Sequence, residues 1–449
     1  MKRAIIAMTA GVLCSQPAMA QELKFPIGDG DFNWESYQSF ADSHDYSGQS
    51  LTISGPWTGQ DKELVDSVVA YFEAATGADV NYSGSESFEQ DIVIATQADT
   101  PPDIAVFPQP GLAADLASRG ELVPLGGDTR QWVLDNYAAG ESWVDLGTYA
   151  NADGKEELFG FFYKVDVKSL VWYVPEQFEE AGYEVPETLE ELRALTEQIA
   201  SEGIAPWCIG LGSGAATGWP ATDWVEDLML RTQPPEVYDQ WVSNEIPFDD
   251  PKVINAIEAY GYFARNDSFV NGGADLAANT DYRDAPNGLF GFPPECYMHK
   301  QASFIPTFFP EGTLVGEDVD FFYFPASKQE DLGKPVLGAG TLWAITKEGD
   351  AARGWIDFLQ TPIAHEIWMA QSGFLTPFKD ANPDVYATDV LRDLGEILTN
   401  ATTFRFDASD LMPGEIGAGA FWSGMVEYTT GADAATVAGQ IQERWDSIE

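Results

Sequence analysis

Across 449 residues the chain carries 23 Lys+Arg against 72 Asp+Glu, an acidity that repels phosphate backbones and anionic headgroups. Nucleic-acid binding and electrostatic membrane docking are thereby excluded. A hydrophobic fraction of 45% with 13% aromatics excludes disorder, and the length suggests two or three domains.

Residues 1–20 read as an export signal: Lys2-Arg3, the apolar stretch Ala4–Cys14, and Ala18-Met19-Ala20 ahead of cleavage before Gln21. The apolar stretch is too short to span a bilayer, and no later stretch approaches eighteen apolar residues. Cys14 follows Leu13, which is not the small residue that bacterial lipidation needs, so a lipoprotein is rejected. Removal of 1–20 leaves 21 basic against 72 acidic residues, a net −51. Cys208 and Cys296 then remain as an even pair in an oxidising compartment, where a disulfide is expected and two free buried thiols are the alternative.

The exported chain opens with an aromatic, Gly/Asp-rich stretch, 21–48. A strand follows at Ser50–Ser54 and a turn at Gly55-Pro56-Trp57-Thr58-Gly59. From Asp61, the spacing of Leu64, Val65, Val68, Val69 and Phe72 predicts a helix that Gly77 stops. Val80–Tyr82 is a second strand, Ser87–Asp99 a helix, and Pro102–Phe107 a buried strand. Strands alternating with helices predict a parallel α/β sheet. Strands are expected next at Phe159–Phe162 and Ser169–Val174, and helices at Glu187–Ala200, Thr222–Arg231 and Lys252–Ala264. Ile204–Leu211, Ala302–Pro306 and Val319–Phe324 look strand-like. Pro335–Thr346 reads as two short strands around Gly338-Ala339-Gly340, followed by helices at Asp350–Leu359 and Ile363–Gln371. This order fits two α/β lobes joined by more than one crossover, with a ligand cleft between them.

Most catalytic and metal chemistry finds no motif. The three histidines, His44, His299 and His365, form no H-E-x-x-H pattern; no G-x-S-x-G elbow, P-loop or dinucleotide fingerprint occurs. Neither a cofactor nor a metal is therefore expected. Asp29-x-Asp31-x-Asn33-x-Glu35 resembles the start of a calcium loop. Trp34 stands where that loop needs Gly and Phe40 where it needs Glu, so a solvated loop is the stronger reading. A glycosidase carboxylate pair has no sequence spacing by which to recognise it.

Recognition chemistry remains. Wide aromatic faces stack on the C–H faces of sugars, and planar polar groups read the hydroxyls. Trp57, Trp219, Phe308 and Trp422 sit in turns beside Gly or Pro, while Phe72, Tyr260 and Trp355 lie on amphipathic helices and belong to the core.

A set of segments carries a family resemblance: Ile-Ser-Gly-Pro-Trp-Thr-Gly ending the first strand, Thr-Pro-Pro-Asp-Ile-Ala-Val-Phe-Pro-Gln-Pro-Gly (100–111), and Phe-Tyr-Lys-Val-Asp-Val-Lys-Ser-Leu-Val-Trp-Tyr (162–173). Pro-Trp-Cys-Ile-Gly (206–210), Gly-Ala-Ala-Thr-Gly-Trp-Pro-Ala-Thr-Asp-Trp (214–224) and Leu-Met-Pro-Gly-Glu-Ile-Gly-Ala-Gly-Ala-Phe-Trp (411–422) complete it. Together they resemble the periplasmic α-glucoside-binding proteins (AglE type) of ABC importers, relatives of the maltose-binding family. The resemblance implies a non-enzymatic, monomeric, two-lobed α/β receptor that delivers an α-glucoside to permease subunits. It implies an N-lobe of 49–163 plus 330–385, a C-lobe of 164–329 plus 386–449, and an extension, 21–48, without counterpart in maltose-binding proteins. Trp422 matches the family's sugar-stacking Trp. Phe107 and Gln109 follow the strand that leads to a ligand loop, and Trp57, Lys164, Asp223 and Phe308 lie in positionally matching segments. Glu86, Trp219 and Gly340 are placed at the cleft with them. A receptor of the same fold for a polyol or osmolyte, and a secreted glycoside hydrolase, are the alternatives.

Overall fold

The strand Ser50–Gly55 buries Leu51 and Ile53 on one face, and pairs in parallel with both Asp79–Gly84 and Ile104–Phe107. Between the first two runs the helix Gly59–Thr76, which buries Val65, Val68, Val69 and Phe72 before Gly77 ends it in the left-handed region. The helix Phe88–Gln97 makes the second crossover. The computed structural model describes residues 23–138, 140–328, 332–400 and 403–448, so the proposed export signal lies outside the described residues.

A long strand, Pro335–Ile345, completes this sheet. Its first residues pair in parallel with Thr403–Phe406, and its last pair antiparallel with Ile104–Phe107. Its middle pairs antiparallel with Phe161–Val167, across a bulge at Thr341/Leu342. Two short strands were expected here. The segment is buried at every position, which leaves no wet surface for a turn. Gly340 instead admits a close neighbour: a Cβ there would meet the Lys164 carbonyl oxygen at 3.1 Å.

The second sheet orders Asp320–Tyr323, Leu170–Tyr173, Cys296–Lys300 and Ala205–Trp207. Cys208 directly follows the edge strand, Cys296 opens its parallel neighbour, and the two form a disulfide with Cα atoms 5.4 Å apart. The strand expected at Ala302–Pro306 is absent. Pro306 has no N–H for a ladder, and Ile305–Phe308 turns as a short 3-10 helix. Only Ala205–Trp207 of the strand-like Ile204–Leu211 is paired as a strand, because the chain then leaves the sheet and Gly212 bridges to Asp281.

Each sheet carries its own core. One runs from Tyr37 to Ala381 and includes Phe406, with Phe72 and Trp355 in it; the other runs from Val171 to Trp445 and includes Tyr260. The chain passes between them around Val165–Val167, Leu337–Ala339 and Phe406–Ala408, and a smaller core that includes Trp172 and the cystine lies alongside. The extension belongs to the first core. The N–H of Phe25 donates to the Tyr71 hydroxyl at 2.8 Å, the Asn33 N–H donates to Glu366 at 2.5 Å, and Phe40 packs between Phe72 and Phe358. Asp29, Asp31 and Glu35 are exposed, while Asn33 caps the helix Trp34–Ser43 by accepting from the Ser36 N–H. No described helix is long and apolar enough to cross a membrane.

Candidate ligand cleft

Three parallel strands end at one edge of the first sheet, and each delivers a turn into the same cavity: Pro56-Trp57, Ser85-Glu86 and Pro108-Gln109. This is where open α/β sheets place their ligands. The floor is Phe161–Val167 with its continuation, where alternation puts Lys164, Asp166 and Lys168 on one side. Thr341 lies in register with Lys164, and Gly340 with Val165. The helix Trp219–Thr232 supplies the opposite wall through Trp219 and Asp223, one turn apart. Gly218, at φ +116°, leads into that helix. A Cβ there would sit 2.2 Å from the Trp422 carbonyl oxygen, so only glycine lets these two tryptophan-bearing segments touch. Trp422 follows a wide-turned π-helix, Glu415–Phe421, a device common at functional sites. The space between the walls is about 980 Å3, part of it continuous with solvent.

Each of the three cations in this space is paired with a carboxylate, and carboxyls outnumber the cations seven to three. Lys164 donates to both oxygens of Asp166 at 2.6 and 2.7 Å. Lys168 donates to Asp223 at 2.8 Å and also to Asp407. Arg283 pairs with Glu86 and with Asp281, each at 3.2 Å. The same cations cover aromatic faces: Lys168 lies 5.0 Å from the Trp219 ring centre, Lys164 5.2 Å from Phe304, and Arg283 4.7 Å from Tyr282. The carboxylates of Asp223, Glu226 and Asp407 lie within 4.8 Å of one another, a spacing that could hold a metal ion. The ammonium of Lys168 already bonds two of the three, so the internal cation of this cluster is a lysine.

Burial sets the titration of these groups. It pushes the Asp61 carboxyl up to about 6, against the opposing pull of Lys164 and Arg283. It raises Glu226 to about 7, and Asp407 and Asp410 well above the usual carboxylate range. Burial would lower Lys168, but Asp223, Asp407, Asp410 and Glu226 outweigh it and hold the ammonium charged. Three buried polar atoms on neutral cavity-lining side chains have no hydrogen-bond partner among the described residues: Gln109 Oε1, Thr341 Oγ1 and Trp422 Nε1. Gln109 is oriented by donating from Nε2 to Glu89 at 2.9 Å. One acceptor, one hydroxyl and one donor are thus left to read a ligand.

Trp57, Glu86, Gln109, Lys164, Trp219, Asp223, Gly340 and Trp422 all line this cavity. Phe107 does not: its strand is buried at every position, and its ring packs edge-on against Phe88 in the core. Phe308 lines a neighbouring groove instead. Sequence reasoning missed Asp61, Asp166, Lys168, Thr341, Asp407 and Asp410. Alternation from Lys164 could have found Asp166 and Lys168. Tyr282 and Arg283 gave no signal, because they lie in an irregular segment that only the fold brings to the cleft.

Fold and cleft together define a two-lobed receptor for a small ligand. Residues 55–366 match the model of the bacterial extracellular solute-binding proteins, and the chain belongs to this family of binding proteins. The α-glucosides-binding periplasmic protein AglE of Rhizobium meliloti is 64% identical over 96% of this chain and 94% of its own length. The osmoprotective compounds-binding protein GgtB of Synechocystis sp. is 41% identical over 88% of this chain and 92% of its own. Among solved structures, the bacterial solute receptor AcbH superposes with a TM-score of 0.76 at 18% identity, covering 90% of this chain and all of that one. Maltose-bound MalE3 of T. maritima superposes with a TM-score of 0.69 at 15% identity, again covering 90% and 100%. These superpositions carry the fold: the chain has the α/β architecture of periplasmic solute-binding proteins.

Proposed function

We propose that this chain is the solute receptor of an ABC importer, capturing an α-glucoside of disaccharide size in the periplasm and presenting it to permease subunits as a monomer. The observation that carries the reading is how the cleft is finished. Every cation in it is already paired, three aromatic faces are already covered by those cations, and Gln109, Thr341 and Trp422 present neutral donors and acceptors without a partner among the described residues. A neutral polyhydroxyl ligand suits such a surface. A quaternary ammonium does not, because it needs several uncovered faces turned toward one another. The 64% identity to a protein named for α-glucosides supports the same class.

The lobes, 49–163 with 330–385 and 164–329 with 386–449, would close by bending where the chain crosses between the cores, with the strand Thr403–Phe406 added to the first. Trp57 and Trp422 would stack on the sugar rings, Trp219 would bound the site beneath Lys168, and Gln109, Thr341, Glu86, Asp223 and Lys164 would read hydroxyls. An absent hydroxyl would leave a buried polar group unpaired, which makes such a site discriminating. Cleavage after Ala20 would release the protein. A second reading, a polyhydroxylated osmolyte as ligand, draws on the 41% identity to the osmoprotective compounds-binding protein.

Thermal unfolding against sucrose, trehalose, maltose, a sugar alcohol and glycine betaine tests the proposal. Ligand at 100 times its Kd should add about 2.7 kcal/mol. A rise in Tm with α-glucosides, with the sugar recovered intact and the rise diminished in Trp422→Ala, is the expected result. A rise with the sugar alcohol alone would favour the second reading, and a rise with betaine alone would overturn the polyhydroxyl assignment.

A further inference from the structure

The cleft does not end at the cavity already described. A second groove of about 710 Å3 lies beside it, lined by Thr58, Gln60, Asp284, Asn287 and Phe308, and the two share a wall made of Glu86 and Arg283. That wall is the ion pair between the turn after Asp79–Gly84 on one lobe and a loop of the other, with Nη1 and Oε1 3.2 Å apart. The Glu86 side chain is 50% exposed and that of Arg283 is 21% exposed. Ion pairs this wet are weak, so this one is easily parted.

We infer that the outer groove is a subsite for a further sugar unit, and that the Glu86–Arg283 pair is the gate between it and the inner cavity; the inference rests on the α-glucoside reading above. Composition supports it, since the groove sets one aromatic ring among side chains able to donate to or accept from hydroxyls. The half-buried Phe308 packs edge-on to Tyr282, and the Arg283 guanidinium lies over both rings, 5.8 Å from Phe308 and 4.7 Å from Tyr282. An arginine that releases Glu86 can therefore uncover the Phe308 face as it opens the passage. Asp281 stays beside it as a second partner, so its charge is not stranded. Thr58 makes no side-chain cap bond to the helix it precedes, which leaves its hydroxyl available to the groove. A disaccharide would lie wholly inside the closed gate, and a trisaccharide would hold it open.

Isothermal titration of the protein with maltose and with maltotriose tests this. Phe308→Ala and, separately, the exposed Asn287→Ala should weaken maltotriose by about tenfold and severalfold respectively, while changing maltose by less than about threefold. Glu86→Gln, which removes the gate's charge, should shift the ratio of the two affinities severalfold toward maltotriose. Equal losses for both sugars in Phe308→Ala and Asn287→Ala, or no loss for either, would overturn the outer subsite and leave the α-glucoside reading standing. Failure of the unaltered protein to bind any α-glucoside would overturn both.

Discussion

Asp61 shows how burial decides a single residue's behaviour. Its carboxyl titrates at about 6 in the folded protein against an ordinary 3.8. The folded state therefore holds the proton between those values while the unfolded chain has lost it, and stability falls as pH rises from about 4 to 6. Asp61→Asn removes that loss. The variant should be more stable than the parent by about 1–3 kcal/mol at pH 7.5, with the gap closing toward pH 4, as read by urea denaturation of ligand-free protein at both values. A gap that did not change with pH would mean the carboxyl is solvated. Of the four aromatics read in turns, Trp57, Trp219 and Trp422 line the cavity, whereas Phe308 lines the neighbouring groove. Charged residues were less legible: in a chain with 72 acids, nothing in the local sequence of Asp407 or Asp410 separates them from solvated neighbours. Their role appears only when the chain's last crossing brings them to Lys168.

At the scale of elements, hydrophobic periodicity located the first three strands and the helices between them to within a few residues. It failed where burial erases periodicity. Pro335–Ile345 is enclosed along its whole length, so its glycines looked like a turn when they mark close approach to Phe161–Val167. The pairing of Cys208 with Cys296 was legible from compartment and parity, and the sheet supplies its reason: it ties a three-residue strand to its parallel neighbour, a strand otherwise held by that pairing and by the bridge from Trp207 to Val270. The sequence separation of 88 residues implies a stabilisation of about 4–5 kcal/mol in the chain-entropy model. The Cys208→Ser, Cys296→Ser double variant should lose several kcal/mol in urea denaturation and become indifferent to reductant. A loss below about 1 kcal/mol would mean the packed edge holds itself.

For the molecule as a whole, two bodies of core are joined by strands and touch at the rim through polar contacts, among them Glu86–Arg283, Thr307–Ser372 at 3.1 Å and the Gly414 N–H donating to Asp115 at 3.2 Å. Contacts of this kind leave the lobes free to separate. The net −51 of residues 21–449 repels itself across both lobes. Raising NaCl from about 10 mM to 300 mM, which shortens the screening length from about 30 Å to well under 10 Å, should raise the Tm of ligand-free protein by several degrees. A flat or falling Tm would show that specific ion pairs outweigh the general field.

The docking of residues 23–43 has a consequence in time. Beside Tyr71 and Phe72, these residues find partners at Phe358, Glu366 and Asn382, more than three hundred positions further along the chain. The long strand that completes the first sheet arrives just as late. A chain that emerges from its N-terminus therefore cannot finish its first lobe until the second has almost wholly appeared. Until then it presents an open sheet edge and an aromatic helix held on one side only, by Tyr71 and Phe72, the kind of exposure that delays folding and invites association with other chains.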